Sequence, residues 1–280
     1  MAQNSCSLII SVYKNVQYLN LVLESVKKQT FKDFEVIISQ DGDDRTIGEY
    51  LEKSQCTFPI IHLTQKDLGW RKNKALNRAI EASGSDYLVF IDGDCLLHPR
   101  FMEQHISNKK EKVVLGGKRI KLDPLTTDHL MNGTLNPQTI NRYIIRNIHK
   151  LKKTGARYIE EGLFIRPEGF FQFVPKLRRI NQLKGCNMSF SKSAAYDING
   201  FDEDFIRPAI GEDIDLTWRF EMAGYKLQSV RNLAVTYHFH HQENWSDQSQ
   251  NIMEMEEKQS KGLYFCSNGL KKYNDKKDSA

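Results

Sequence analysis

The chain has 280 residues, a net charge of +5 and a mean hydropathy of −0.55, which suits one large α/β domain with a buried core and excludes a peptide-like scaffold. No stretch reaches the roughly 20 apolar residues that span a bilayer. The five cysteines are scattered and never spaced as CxxC, so they indicate neither a disulfide framework nor a structural zinc site, and the small positive excess suits an anionic partner without choosing one.

The first residues, "MAQNSCSLIISVYK", lack the basic region and long apolar core of a signal peptide, so a cytoplasmic protein is expected. "SLIISVY" (7–13) reads as a strand and 16–29 as a helix. The alternation repeats through the strand "FEVIISQD" (34–41), a helix over 46–54, the strand "FPIIHLT" (58–64), a helix over 71–82 and the strand "DYLVFID" (86–92). Repeated strand–helix units with continuously apolar strands predict an α/β fold, with a mostly parallel twisted sheet covered by helices on both faces. Such sheets bind ligands beyond the carboxyl ends of their strands. Ser11 and Tyr13 stand at the first of these ends, Asp41, Asp43 and Asp44 at the second, and Asp92 and Asp94 at the fourth.

Residues 1–118 therefore read as an α/β half that ends in the "DGD" region, and 119–182 as an insertion or mobile loops that include the aromatic stretch "GLFIRPEGFFQFVPKLRR" (162–179). Residues 183–250 read as the second half of the same domain. The segment 251–280 reads as a charged helix fraying into disorder.

Four groups of residues could carry chemistry. The "DGD" of Asp92 and Asp94 aims two carboxylates one way and suits a hard divalent ion, although Asp-Gly is also a common turn; its place after a buried strand favours the ion. In "GEDIDLTWRF", Glu212, Asp213 and Asp215 open a helix, where acids meet the dipole favourably; a carboxylate there could also act as general base toward a hydroxyl. In "VTYHFHHQENW", strand alternation puts His238 and His240 on one face and turns His241 away, so an imidazole of that face could join the carboxylates around Mn²⁺ or Mg²⁺. Arg71, Lys72 and Lys74 crowd a helix start, either as a solvated basic face or as the seat of a diphosphate.

These pieces, in this order, resemble family 2 glycosyltransferases of GT-A fold, with a second half similar to the C-terminal region of the β-1,4-galactosyltransferases. The first half matches through "SLIISVYKNVQYLNLVLESVKKQTFKDFEVIISQDGDD", "GWRKNKALNRAI" and "YLVFIDGDC". The second matches through "KGCNMSFSKSAAYDINGFDEDF" and "GEDIDLTWRFEMAGYKL". The resemblance implies that Ser11, Tyr13 and Asp41 hold the nucleoside, that Arg71 and Lys74 lie near the diphosphate, and that Asp92 lies near the ribose or donor sugar. By the same resemblance Asp94 is the direct metal ligand, with His238, or His240 in its stead, as the metal-binding histidine. Asp213 matches the catalytic base, and Glu212 would bind hydroxyls of acceptor or donor.

The activity implied is metal-dependent, inverting transfer of a sugar from a nucleoside diphosphate donor, UDP foremost, to a saccharide or lipid-linked saccharide in surface glycan synthesis. Two departures stand out: Ser11 replaces a common strand-end proline, and "AIGED" replaces "WGGED", which leaves the donor sugar open. A sugar nucleotidyltransferase would need a glycine-rich phosphate loop after the first strand, and "SVYKNVQYL" has none. A sugar-nucleotide-binding relative without activity is the other alternative. Basic residues dispersed among acids argue against nucleic acid, while "KGLYF" and "LKKYNDKK" in the tail could touch an anionic membrane surface.

Overall fold

The computed structural model describes residues 4–208, 210–242 and 247–272. Strand β1 (Cys6–Val12) is apolar apart from Ser7 and Ser11 and is buried on both faces. Leu8, Ile10 and Val12 enter one core layer and Ile9 the other, as the two-residue period of a strand requires. Helix α1 (Val16–Lys27) starts where the Asn15 side chain accepts from the Tyr18 amide, and packs Leu19, Val22, Leu23 and Val26 against the first layer. Strand β2 (Phe34–Gln40), helix α2 (Arg45–Lys53) and strand β3 (Ile60–Leu63) follow. Asp44 is the N-cap of α2, accepting from the Thr46 amide, so this strand-end acid serves the helix. Helix α3 (Lys72–Ala82) and strand β4 (Tyr87–Asp92) complete the first half.

Beyond it lie β5 (Cys95–Leu97), α4 (Phe101–Asn108), β6 (Val113–Gly116), β7 (Arg119–Lys121), α5 (Pro124–Met131) and α6 (Ile140–Thr154). They are followed by a 3-10 turn at Ile159–Gly162, α7 (Phe173–Leu177), β8 (Met188–Ser191) and α8 (Lys192–Asp197). A π-helical turn at Ile210–Ile214 leads into α9 (Asp215–Met222), and β9 (Lys226–Ser229), β10 (Thr236–His238) and α10 (Ser249–Ser260) close the described chain.

The main sheet runs β3-β2-β1-β4-β8-β6-β9. Its first four strands are parallel, and β8 is antiparallel to both β4 and β6. The chain passes from β1 to β2 and β3 on one side, then returns to place β4 on the other, so the topological switch lies between β1 and β4. Their register pairs Ser11 with Asp92. A second sheet, β5-β10-β7, stands at the same end and pairs His238 with Cys95.

Two regions differ from the sequence-based expectation. The segment 119–182 holds β7, α5, α6 and α7, with Ile120, Leu122, Ile140, Ile144 and Leu151 in the core, and keeps turns and coil over 132–139 and 163–172. Its polar runs misled because α6 buries only one stripe and leaves Lys150, Lys152 and Lys153 toward solvent. The tail does not fray directly after α10: Cys266 and Leu270 are buried, and the Asn199 side chain donates to the Cys266 and Lys271 carbonyls. Residues 273–280 lie outside the described residues. Among the described residues no helix is long and apolar enough to cross a membrane.

Candidate active site

A cavity of about 680 Å³ opens at the β1/β4 switch. Ser11, Tyr13, Asp41, Asp92, Asp94 and His238 all line it, with Lys72, Trp70, Pro208 and His241. Six of the residues marked by the sequence are thus brought together. Gly93 makes the acidic turn possible: its amide donates to the Ser11 carbonyl at 2.7 Å, and a side chain there would press on that oxygen at 3.0 Å. The two carboxylates are consequently held tight against the end of β1.

They have different partners. Asp92 pairs with Lys72, Nζ to Oδ1 at 2.7 Å, with both side chains largely sheltered. Asp94 Oδ2 lies 3.3 Å from His238 Nε2 and 3.1 Å from His241 Nε2. Burial works against ionisation of Asp94, but its hydrogen bonds to the two imidazoles outweigh that and hold it well below the usual carboxylate range. The expectation that His241 turns away is corrected here. Strand β10 ends at His238, the chain leaves the ladder after the Phe239 amide bonds the Asp94 carbonyl, and alternation no longer applies. His240, the alternative ligand, points elsewhere: its side chain is exposed and its backbone is tied to Thr127 and Tyr18.

The basic residues also sort differently from expectation. Lys74 is exposed on α3 and borders a separate recess with Glu203 and Phe205. Arg71 contributes its backbone, donating its amide to Asp41 Oδ2 at 2.8 Å. Lys72 is the cation that reaches the acidic turn, a choice that one residue of helix phase decides. Asp41 takes a second bond from Gln65 Nε2 at 2.7 Å on Oδ1, so both of its oxygens fix the 65–71 loop as one wall. Tyr13 is exposed and donates to Asp67, which also pairs with Lys14.

Asp213 sits in the π-helical turn and does not line the cavity. Its Oδ1 accepts from the Gly185 amide at 2.6 Å and its Oδ2 lies 3.1 Å from Lys184 Nζ. The turn is anchored beside the start of α3, where Asn73 donates to the Gly211 and Asp202 carbonyls. The Glu212 side chain lies outside the described residues. Asp215 is buried against Arg219 at 3.3 Å, and burial pushes its carboxyl up to about 6 despite that partner; it serves packing, away from the cavity. Lys184, Gly185 and Gln65 are contacts to which no sequence signal points, whereas Lys72 belongs to the basic helix start and His241 is the histidine expected to face away.

Among the described residues, Asp94, His238 and His241 bring ligand atoms within 4.8 Å of one another, as do Asp92, Cys95 and Cys186. Arg119 Nη1 lies 2.7 Å from Cys186 Sγ, so a guanidinium already holds the second cluster. The first, one carboxylate and two imidazoles on an open cavity, fits a first-row divalent ion such as Mn²⁺ better than Mg²⁺, which favours oxygen ligands.

The glycosyl transferase family 2 profile matches residues 7–173, from β1 through the acidic turn and α6. The chain belongs to that family. A second profile, described as the N-terminal domain of galactosyltransferase, matches residues 170–242 of this glycosyltransferase and takes in Asp213 and the histidines. It is 26% identical over 239 residues to chondroitin synthase of Escherichia coli, covering 83% of this chain and 34% of the synthase. It is 23% identical over 241 residues to the amylovoran biosynthesis glycosyltransferase AmsB of Erwinia amylovora, covering 85% of this chain and 71% of AmsB.

The match to validoxylamine A glucosyltransferase of Streptomyces hygroscopicus subsp. jinggangensis, 24% identical over 80% of this chain, covers 53% of that protein, so this chain spans about half or less of several relatives. Among solved structures, GalNAc-T7 with UDP, GalNAc and Mn²⁺ superposes with a TM-score of 0.60 at 13% identity, covering 91% of this chain and 48% of that one. S. aureus TarS 1-349 in complex with UDP-GlcNAc gives 0.56 at 16% identity, covering 90% and 64%. These likenesses establish the GT-A fold.

Proposed function

We propose that this glycosyltransferase moves a sugar from a nucleoside diphosphate donor, UDP foremost, to a saccharide or lipid-linked saccharide acceptor in surface glycan synthesis, with inversion at the anomeric carbon. The observation that carries the reading is the convergence of Asp94, His238 and His241 on one point of the switch cavity, next to the Asp92–Lys72 pair. Asp94, His238 and His241 would hold a divalent ion, Mn²⁺ by donor set, whose charge when bound stabilises the leaving diphosphate.

The remaining roles fall to the protein's own groups. Asp41 accepts one bond on each oxygen, from Gln65 and from Arg71, and keeps acceptor capacity toward the nucleoside, while Ser11 and Tyr13 offer hydroxyls beside the end of β1. Lys72 is placed to exchange its bond to Asp92 for one to a phosphate oxygen, which frees Asp92 for ribose or sugar hydroxyls. Asp213 is the candidate general base: Gly185 fixes one oxygen, and an acceptor hydroxyl that displaces Lys184 from the other would hand its proton there as it attacks. UDP-bound neighbours of the same fold, and a relative named for amylovoran biosynthesis, support the donor and product classes.

A thermal-shift screen of nucleoside diphosphates and sugar nucleotides, with Mn²⁺, Mg²⁺ or EDTA, tests the donor reading. A true donor at a hundredfold over its Kd should stabilise the wild type by about 2.7 kcal/mol, with metal present and not in Asp94→Ala. No stabilisation by any nucleotide under any condition would overturn it.

A further inference from the structure

The stretch "GFFQFVPKLRR" (169–179) is not used by the site. Phe170 is 87% exposed and Leu177 74%, with Phe171 and Phe173 also more than half exposed. The three rings pack on one another, Phe170 to Phe171 at 5.2 Å and Phe171 to Phe173 at 6.5 Å between centroids. Three rings packed on one another outside the core, with Leu177 exposed one helical turn after Phe173, form an apolar protrusion and not the scattered exposure ordinary for a surface. Arg166, Lys176 and Arg179 are exposed around it. The one acid in this stretch of chain, Glu168, is paired with Arg100.

We propose that this protrusion is a membrane-docking surface whose partner is an anionic phospholipid bilayer. Aromatic and leucine side chains ringed by Lys and Arg have the chemistry of an interfacial anchor: rings enter the headgroup boundary while the bases meet lipid phosphates. A second copy meeting the patch face to face would bring like charges together.

The protrusion is rigidly tied to the body. Arg178 pairs with Glu161 and bonds Asn232, and Arg231 holds both Glu161 and the Arg179 carbonyl. It also runs on through the chain into Lys184 and Gly185, the partners of Asp213. Resting on the acceptor role proposed for Asp213, docking would present the acceptor side of the enzyme to material held in the membrane.

The test is cosedimentation of the full chain with phosphatidylcholine vesicles containing roughly a third phosphatidylglycerol, and with phosphatidylcholine alone, at low salt. Binding is expected to the anionic vesicles only. Lys176→Glu/Arg179→Glu should weaken it by about 20-fold or more, and Phe170→Ser/Phe171→Ser by about tenfold or more. Arg45→Glu/Lys53→Glu on α2 should leave it unchanged, and near-UV circular dichroism checks that each variant is folded. Absence of vesicle binding, equal binding by all variants, or a concentration-dependent dimer that Phe170→Ser/Phe171→Ser dissolves would overturn the proposal.

Discussion

Lys72 and Lys74 show how much one helical position decides. They stand two residues apart on α3, about 200° around the helix. Lys72 reaches Asp92 while Lys74 meets solvent. Replacing Lys72 with Met should weaken nucleoside diphosphate binding by about ten- to a hundredfold, the range of a charge-assisted bond worth ~1.5–3 kcal/mol, whereas Lys74→Met should change it less than about twofold. Titration calorimetry with UDP and metal separates the two; equal losses would show that the cavity reads net charge and not Lys72 itself. A similar contrast holds for the acids of the π-turn and α9. Arg219 is 1% exposed and faces Asp215, so Asp215→Ala strands a buried guanidinium and should cost about 3–5 kcal/mol of stability in urea unfolding. A loss under about 1 kcal/mol would mean that the Ile198 and Tyr264 carbonyls, which also accept from Arg219, suffice without it.

At the scale of elements, the first half of the fold was legible because its strands are continuous apolar runs and its helices have clear phase. β1, β2 and β4 fall where "SLIISVY", "FEVIISQD" and "DYLVFID" place them. The acids at their ends fall in the cavity for the same reason: parallel strands in register align their carboxyl ends. Short elements defeated the reading. β10 has three residues, too few for an alternation to extend past His238, so the strand period does not govern where His241 faces. The 119–182 helices were obscured by Asn-Gly and proline punctuation that marks their caps, such as Asp123–Pro124 at the start of α5. The tail was obscured by its charge, since Lys258 is sequestered by Asp202, Asp204 and Glu254 and not solvated. Ending the chain after Lys261 removes the Cys266 and Leu270 contacts and the Asn199 partners. It should lower Tm by about 5 °C or more, while an unchanged Tm would return the segment to the status of a fringe.

For the whole molecule, acid stability follows from buried histidines. Burial holds His98 and His105 down to about 4, and His105 is fixed between Ser189 and Asn187. In the unfolded chain each titrates near 6.5, so between about pH 6.5 and 4 the unfolded state binds more protons and folding stability falls as pH falls. Each histidine contributes about 2–3 kcal/mol to that loss by pH 4.5. Asp215 acts the other way: its raised value of about 6 means the folded state binds the extra proton between about 3.8 and 6, so its contribution diminishes as pH rises through that window. His62, also lowered by burial, adds to His98 and His105, and the one raised carboxyl leaves the net slope with the histidines. Urea unfolding should therefore give lower stability at pH 4.5 than at pH 7, with a shallower slope in His105→Gln; a flat profile in the wild type would contradict the burial of both rings as neutral groups.

The proposed function requires that Asp94, His238 and His241 hold one divalent ion beneath the donor diphosphate. Its most direct test is Mn²⁺ binding in the presence of UDP, followed by electron paramagnetic resonance, in wild type, His241→Ala and His240→Ala. One bound ion is expected in wild type and in His240→Ala, with affinity reduced by about tenfold or more in His241→Ala. Retention of full affinity in His241→Ala, or its loss in His240→Ala alone, would contradict it.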